Sequence, residues 1–222
     1  MRKSLIKSFK IFGITIAVIL VMMFLFPIVF PGKIEKEVKE FANHKLRGEL
    51  NFKEANLSFF KHFPSLTLSL NKFTLKGSAP YANETLVSAD EIAFGINLKS
   101  LLFDKAVTID KIFLSDALMN VKVNEKGEAN YNVYVSDSKA TTPKDTSSTG
   151  LRLDKIAIKN SHLIYDDKST KILVDAKGFN YIGKGDLNKA VFDLDTEAII
   201  DNFNFNFGGE QYLKNKKIDL IR

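Results

Sequence analysis

The chain has 222 residues, 45% of them hydrophobic and 26% charged, with a net charge of +6, 19 phenylalanines, no tryptophan and no cysteine. Without cysteine there are no disulfides, no thiol catalysis and no thiolate metal sites. Arg2, Lys3, Lys7 and Lys10 supply most of the excess charge, and the nearly balanced remainder carries no arginine stripe with interleaved aromatics, so no nucleic-acid partner is expected.

Ile11 to Phe30 contains no charged residue. A helix of that length, at about 1.5 Å per residue, spans roughly the 30 Å of a bilayer's hydrocarbon core. Its polar Thr15 is able to bond back to the helix's own carbonyls, and Pro27 and Pro31 sit near the far end, where a kink costs least. The spacing predicts a transmembrane anchor over 11–30. The cationic bias places residues 1–10 in the cytoplasm and everything after Phe30 across the membrane. A cleaved signal peptide is the competing reading. Its apolar region is normally shorter and ends in small residues, whereas this one ends in Phe24-Leu25-Phe26-Pro27-Ile28-Val29-Phe30, which favours the uncleaved anchor.

Residues 31–47 read as a short amphipathic helix. Ile34, Val38, Phe41 and Leu46 share a face, Glu35, Lys36, Lys39 and Glu40 face away, and Gly48 follows. Such a helix caps the start of a β domain or lies at the membrane surface, and directly after an anchor both hold together.

From residue 48 to 222 the pattern is period two. Ile92, Phe94, Ile96 and Leu98 alternate with small or polar residues, as do Met119, Val121 and Val123, then Tyr131, Val133 and Val135, and finally Phe203, Phe205 and Phe207. Turn chemistry lies at Asn124-Glu125-Lys126-Gly127, Asp166-Asp167-Lys168-Ser169 and Gly183-Lys184-Gly185-Asp186. The fold class expected is mainly β: an N-terminal transmembrane helix and a short amphipathic helix, then a curved, meandering antiparallel sheet that forms a groove or partial barrel. Residues 136–150 hold no large apolar residue and read as a flexible surface loop within it.

One pattern recurs: apolar-x-apolar, Asp or Asn, a polar residue, apolar-x-apolar. It occurs at Leu68–Leu75, Val107–Leu114 and Leu151–Ile158, and more weakly at Val87–Phe94 and Ala198–Phe205. Residues three apart in a regular strand point to opposite faces. Leu70 and Phe73, Ile109 and Ile112, and Leu153 and Ile156 therefore require either a bulge that resets the phase or a tight turn, and the missing Asn-Gly signal favours the bulge. A sheet bulged at the same place in successive strands curls into a trough.

Catalytic signals are poor. His44, His62 and His162 are isolated, Asp166-Asp167 reads as a turn, and Asp193 and Asp195 read as a solvated strand face. No phosphate loop, nucleophile elbow or metal spacing appears, so no enzyme, cofactor or metal is expected. What remains is apolar surface that a sheet must cover with a second layer or with a ligand. The trough-lining candidates are Leu70, Phe94, Ile96, Ile112, Phe203 and Phe205. The partners expected are the membrane, through a single pass, and phospholipid. The alternative is a structural factor whose sheet packs against envelope assembly proteins.

Several stretches, in order, resemble the AsmA family of bacterial envelope proteins. They are the anchor, the helix ending in Leu46-Arg47-Gly48, Phe63-Pro64-Ser65-Leu66-Thr67-Leu68-Ser69-Leu70-Asn71-Lys72-Phe73, Ser88-Ala89-Asp90-Glu91-Ile92, Leu98-Lys99-Ser100-Leu101-Leu102, Val107-Thr108-Ile109-Asp110-Lys111-Ile112, and Asn124-Glu125-Lys126-Gly127-Glu128-Ala129-Asn130-Tyr131, with Tyr131 where the family has tryptophan. The similarity covers about residues 1–166. It implies an inner-membrane protein of a Gram-negative bacterium with its bulk in the periplasm. The family is related to bridge-like lipid transfer proteins of repeating β-groove units, and its members are tied to outer-membrane biogenesis and phospholipid traffic. No catalytic residues come with it. Family members are usually much longer, and Lys217-Ile218-Asp219-Leu220-Ile221-Arg222 reads as a strand just starting, so a piece of a longer protein is expected.

Overall fold

The computed structural model describes residues 10–15, 17–18, 21, 35–36, 38–40, 46–63, 65–97, 99–100, 108–134, 150–185 and 195–221. They form one curved, open, mixed sheet of nine strands. These are β1 (Leu50–Asn51), β2 (Glu54–His62), β3 (Ser65–Lys76), β4 (Thr85–Ile96), β5 (Thr108–Val123), β6 (Gly150–Asp167), β7 (Ile172–Lys184), β8 (Asp195–Phe207) and β9 (Glu210–Ile221). The spatial order is β1-β3-β4-β5-β6-β7-β8-β9, with β2 also paired to β3.

The sheet is not the antiparallel meander expected. β5 and β6 run parallel, with Phe113 opposite Ala157 and Val121 opposite Tyr165. Parallel neighbours need a long return connection, and residues 124–149 supply it. The connection opens with the turn expected at 124–127, where Gly127 has φ +80° and the Asn124 side chain accepts from the Lys126 and Glu128 amides. The expected loop lies outside the described residues except for Gly150, which begins β6. β5 and β6, on either side of the connection, pair along most of their length in the same sheet.

The phase switches do mark backbone irregularities, but along two lines rather than one. Lys72 in β3, Asp116 in β5, Asn160 in β6, Gly178 in β7 and Asn215 in β9 have φ of 51°, 50°, 45°, 63° and 50°. The pairing registers set Lys72, Asp116 and Asn160 in one transverse row, and the line then steps along the strands to Gly178, opposite Asp201, and to Asn215, whose amide donates to the Asn204 side chain. β4 crosses that row at Asp90, which pairs with Lys72 at 2.7 Å. β8 crosses it at Asp201-Asn202, where its register against β9 shifts. Asn160 donates from Nδ2 to Asp116 at 2.6 Å, and the Asn180 side chain accepts from the Asn160 amide at 2.9 Å. Left-handed backbone is cheapest for glycine and next for Asn and Asp, which explains most of the residues found there. The second line lies nearer the start of β5. Register shifts between Gly95 and Ile96 and between Ile109 and Lys111 place bulges at Asp110 and before Lys155.

Because the strands switch phase at a shared line, one face stays apolar on both sides of it. A single row reads Ala55, Leu70, Ile92, Leu114, Ile158, Tyr181, Ala198, Leu220 from β2 to β9. Across the crease a second row reads Leu75, Val87, Met119, Leu163, Ala176, Phe203. The buried core sits on this face over β2–β5 and comprises Ala55, Leu70, Phe73, Ala89, Ile92, Leu114 and Ala117.

The described residues within 11–30 are helical, and Thr15 donates to the Ile11 carbonyl at 2.9 Å. Among the described residues no helix is long and apolar enough to cross a membrane, and most of the expected anchor lies outside them. Residues 35–36 and 38–40 are helical, with Glu35–Lys39 and Lys36–Glu40 pairs on the polar side. Leu46, expected on the helix's apolar side, instead forms a β-bridge with Tyr134.

Candidate functional site

The apolar face is built by alternation within strands and by direct pairing between them. All six residues singled out from the sequence lie on it. Leu70 is 1% exposed, at the centre of the buried cluster. Phe94 and Ile112 stand directly opposite each other, in the row Leu57, Leu68, Phe94, Ile112, Ile156. Ile96 pairs with Leu66 at the strand end. Phe203 is opposite Ala176, and Phe205 falls in the row Val121, Tyr165, Val174, Phe205, Leu213.

The six are not equivalent. Over β3–β5 the chain covers its own face: Val38 of the helical segment, with Leu50 and Phe52, packs against the buried cluster, and Lys39 Nζ lies 5.5 Å from the Phe52 ring centroid. Leu70 is thereby a core residue. Phe203 and Phe205 stay half-buried, as do Ile156, Ile158, Tyr165, Phe179 and Tyr181 around them. Among the described strands, β6–β9 make their sustained contacts only with sheet neighbours, so none of these strands forms a second layer on this part.

Two aromatic residues escaped the sequence reading as trough candidates. Tyr212 sits within 6.2 Å of the Phe205 ring and 6.4 Å of the Phe207 ring. A one-residue register shift between Phe205 and Asn206 turns Tyr212 toward them, which alternation alone does not reveal. Phe207 is 48% and Tyr212 60% exposed, so this aromatic group is open to solvent.

The opposite face is polar or mixed. The end of β2 bulges over it, and the His62 ring stacks on Phe113 with centroids 3.7 Å apart and planes 6° from parallel. Burial, then the Lys61 charge, holds the His62 imidazole below its ordinary pKa. His162 lies beside Asp175 at 2.6 Å, while His44 falls outside the described residues. The turn expected at 166–169 is fastened by Asp167, whose carboxylate accepts from the Ser169 hydroxyl and amide and the Thr170 amide. These bonds hold its pKa at about 2.

Asp110, the bulged residue of β5, is 5% exposed, and its Oδ1 is buried with no hydrogen-bond partner among the described residues. Burial raises its pKa despite Lys111 nearby. A carboxyl whose folded pKa exceeds its unfolded value favours folding only below that unfolded value. Its contribution is lost as pH rises through the folded pKa. At neutral pH Asp110 therefore opposes folding. Asp110→Asn is expected to raise the melting temperature by a few degrees at pH 7, the equivalent of about 1 kcal/mol. The gain should fade as pH falls below the ordinary carboxylate range. A lower melting temperature at pH 7 would contradict this.

The AsmA family model matches residues 1–181, from the N-terminus into β7. The chain belongs to the AsmA family. No curated protein and no solved structure matches it. In this AsmA-family chain the match ends before β8 and β9, which carry Phe203, Phe205, Phe207 and Tyr212. The apolar face nevertheless runs on through both strands without a break in register at β7–β8.

Proposed function

We propose that this chain is an inner-membrane-anchored periplasmic module of the AsmA type that shields phospholipid acyl chains during traffic between the membranes, in support of outer-membrane biogenesis. The observation that carries the reading is the apolar face, continuous from β2 to β9 and, among the described strands, without a second layer over β6–β9. Passing a two-chain lipid through water exposes about thirty methylenes at roughly 0.8 kcal/mol each, on the order of 25 kcal/mol. A continuous apolar trough removes most of that cost, and no catalytic step is involved. The charge-free run over 11–30, with its basic N-terminal flank, supports anchoring with the N-terminus in the cytoplasm.

The test is photo-crosslinking of the full chain in cells. A benzophenone amino acid at Phe205 or Phe203 is expected to capture phospholipid, and one at Leu70, under the helical cover, to capture little. Capture of protein alone at Phe205 and Phe203 would replace the lipid reading with that of an assembly factor docking on protein.

A further inference from the structure

A second site lies on the face opposite the trough, and its argument does not depend on the lipid reading of the apolar face. Lys111 of β5, Lys155 of β6 and Lys184 of β7 are direct register partners, so three ammonium-bearing side chains stand side by side in one cross-strand row. Neighbouring strands are about 4.8 Å apart, and like charges directly opposite one another destabilise a sheet. Lys111 donates to the Ser65 hydroxyl, and Lys155 Nζ lies 5.6 Å from the centroid of the Phe113 ring. The carboxylates nearest by chain position and register are Asp110, whose Oδ2 is 3.9 Å from Lys111 Nζ, Asp154 beside Lys155, Asp195 opposite Lys184, and Glu197. Lys61 is engaged with Glu91.

Two residues further along the same face the row becomes apolar: Phe113, Ala157 and Ile182, ending at Glu197. This row floors an open cleft of about 380 Å³, walled by His62, Glu91, Ser115, Lys159, Asn180 and Ile199. That volume is within the range of small-ligand sites, about 300–1,000 Å³. Ile199, on its wall, is 41% exposed. The His62 pKa is lowered first by burial and then by Lys61, with smaller contributions from Lys155 and Lys111 against the opposing charge of Glu91.

We propose that the Lys111–Lys155–Lys184 row and the cleft beside it bind a small anionic amphiphile, its phosphate or carboxylate oxyanion on the lysines and its alkyl part on Phe113, Ala157 and Ile182. An oxyanion between the ammonium groups converts a repulsive row into charge-assisted contacts. The apolar floor rewards a tail that inorganic phosphate lacks.

The test uses the full chain in phosphatidylcholine nanodiscs, with a benzophenone amino acid at Ile199 in the cleft or at Phe205 on the trough. The probes are octyl phosphate, inorganic phosphate as a competitor, and octyltrimethylammonium. Octyl phosphate is expected to be captured at Ile199 and octyltrimethylammonium not. Lys155→Gln with Lys184→Gln should weaken octyl phosphate binding about tenfold. Inorganic phosphate should compete poorly. If it displaces octyl phosphate as well as unlabelled octyl phosphate does, the lysines hold a free phosphate and the claim for a tail is overturned. Equal capture of both amphiphiles, or capture unchanged in the double variant, overturns the site. Without ligand at low salt, the double variant should melt a few degrees higher than the parent. A lower melting temperature would show that the neighbouring carboxylates already neutralise the row, which also overturns the proposal. Capture at Phe205 with none at Ile199 leaves the trough standing and removes this site, and the converse does the reverse.

Discussion

Leu70→Ala is expected to lower the unfolding free energy by about 3 kcal/mol and the melting temperature by roughly 10 °C. Leu70 is 1% exposed and sits among Ala55, Phe73, Ile92 and Leu114 beneath the cover to which Val38, Leu50 and Phe52 contribute. Removing its three outer carbons loses their transfer energy and leaves a cavity, because hydrogen-bonded strands on both sides hold the walls apart. The same substitution should leave phospholipid capture at Phe205 unchanged. Phe205→Ala should do the opposite, with a small loss of stability and a large loss of capture. Urea unfolding of both variants, read beside crosslinking, separates core from trough. A loss under about 1 kcal/mol for Leu70→Ala would show that the face over β3–β5 is not closed.

Gly178→Ala is expected to cost about 3 kcal/mol, from two sources. Gly178 has φ +63°, which costs an L-residue about 1–2 kcal/mol. A Cβ there would also fall inside the Asp201 carboxylate and lie 2.8 Å from Asp201 Cβ and Cγ on the neighbouring strand. Gly127→Ala isolates the first source, because Gly127 has φ +80° with nothing within 4 Å of an added Cβ. The difference between the two variants, about 1–2 kcal/mol, measures the crowding at the crease. Adding Asp201→Gly to Gly178→Ala should recover that part and not the rest. Equal losses for the two single variants would mean that β7 and β8 are not held as close at the crease as the register implies.

The crease shows why part of the fold was legible and part was not. Asn71-Lys72 and Asp201-Asn202 announce it, because large apolar residues flank each pair three apart, and Asp90-Glu91 does so more weakly, between Ala89 and Ile92. β5 and β6 cross the same line at Asp116 and Asn160 with the same spacing, but there the far residue is Ala117 or Ser161. Small residues carry little hydrophobic signal, so the crossing is silent in the sequence although both are buried. Asp110-Lys111 and Asp154-Lys155 show the pattern clearly and belong to the other line. Local spacing reports that a strand changes phase. Only the register against its neighbours reports where that change lies in the sheet.

The trough candidates divide in the same way. Alternation placed Leu70, Phe94, Ile96, Ile112, Phe203 and Phe205 on strand faces, and pairing shows those faces to be one. Among the described residues, which of them are covered depends on Val38, tens of positions away in the chain and packed against the cluster over β2–β5.

By itself the sequence determined the class of this protein: mainly β, one apolar side per strand, and family motifs in order. These are properties of residue type and short spacing, and they are set before any two strands meet. The tertiary structure decided that β6 runs parallel to β5, that the phase switches align into a crease, that among the described residues one half of the apolar face is covered and the other is not, and that three lysines stand in a row on the far side. Each depends on contacts between residues tens of positions apart, whose energies are fixed by register and packing rather than by the identity of either partner.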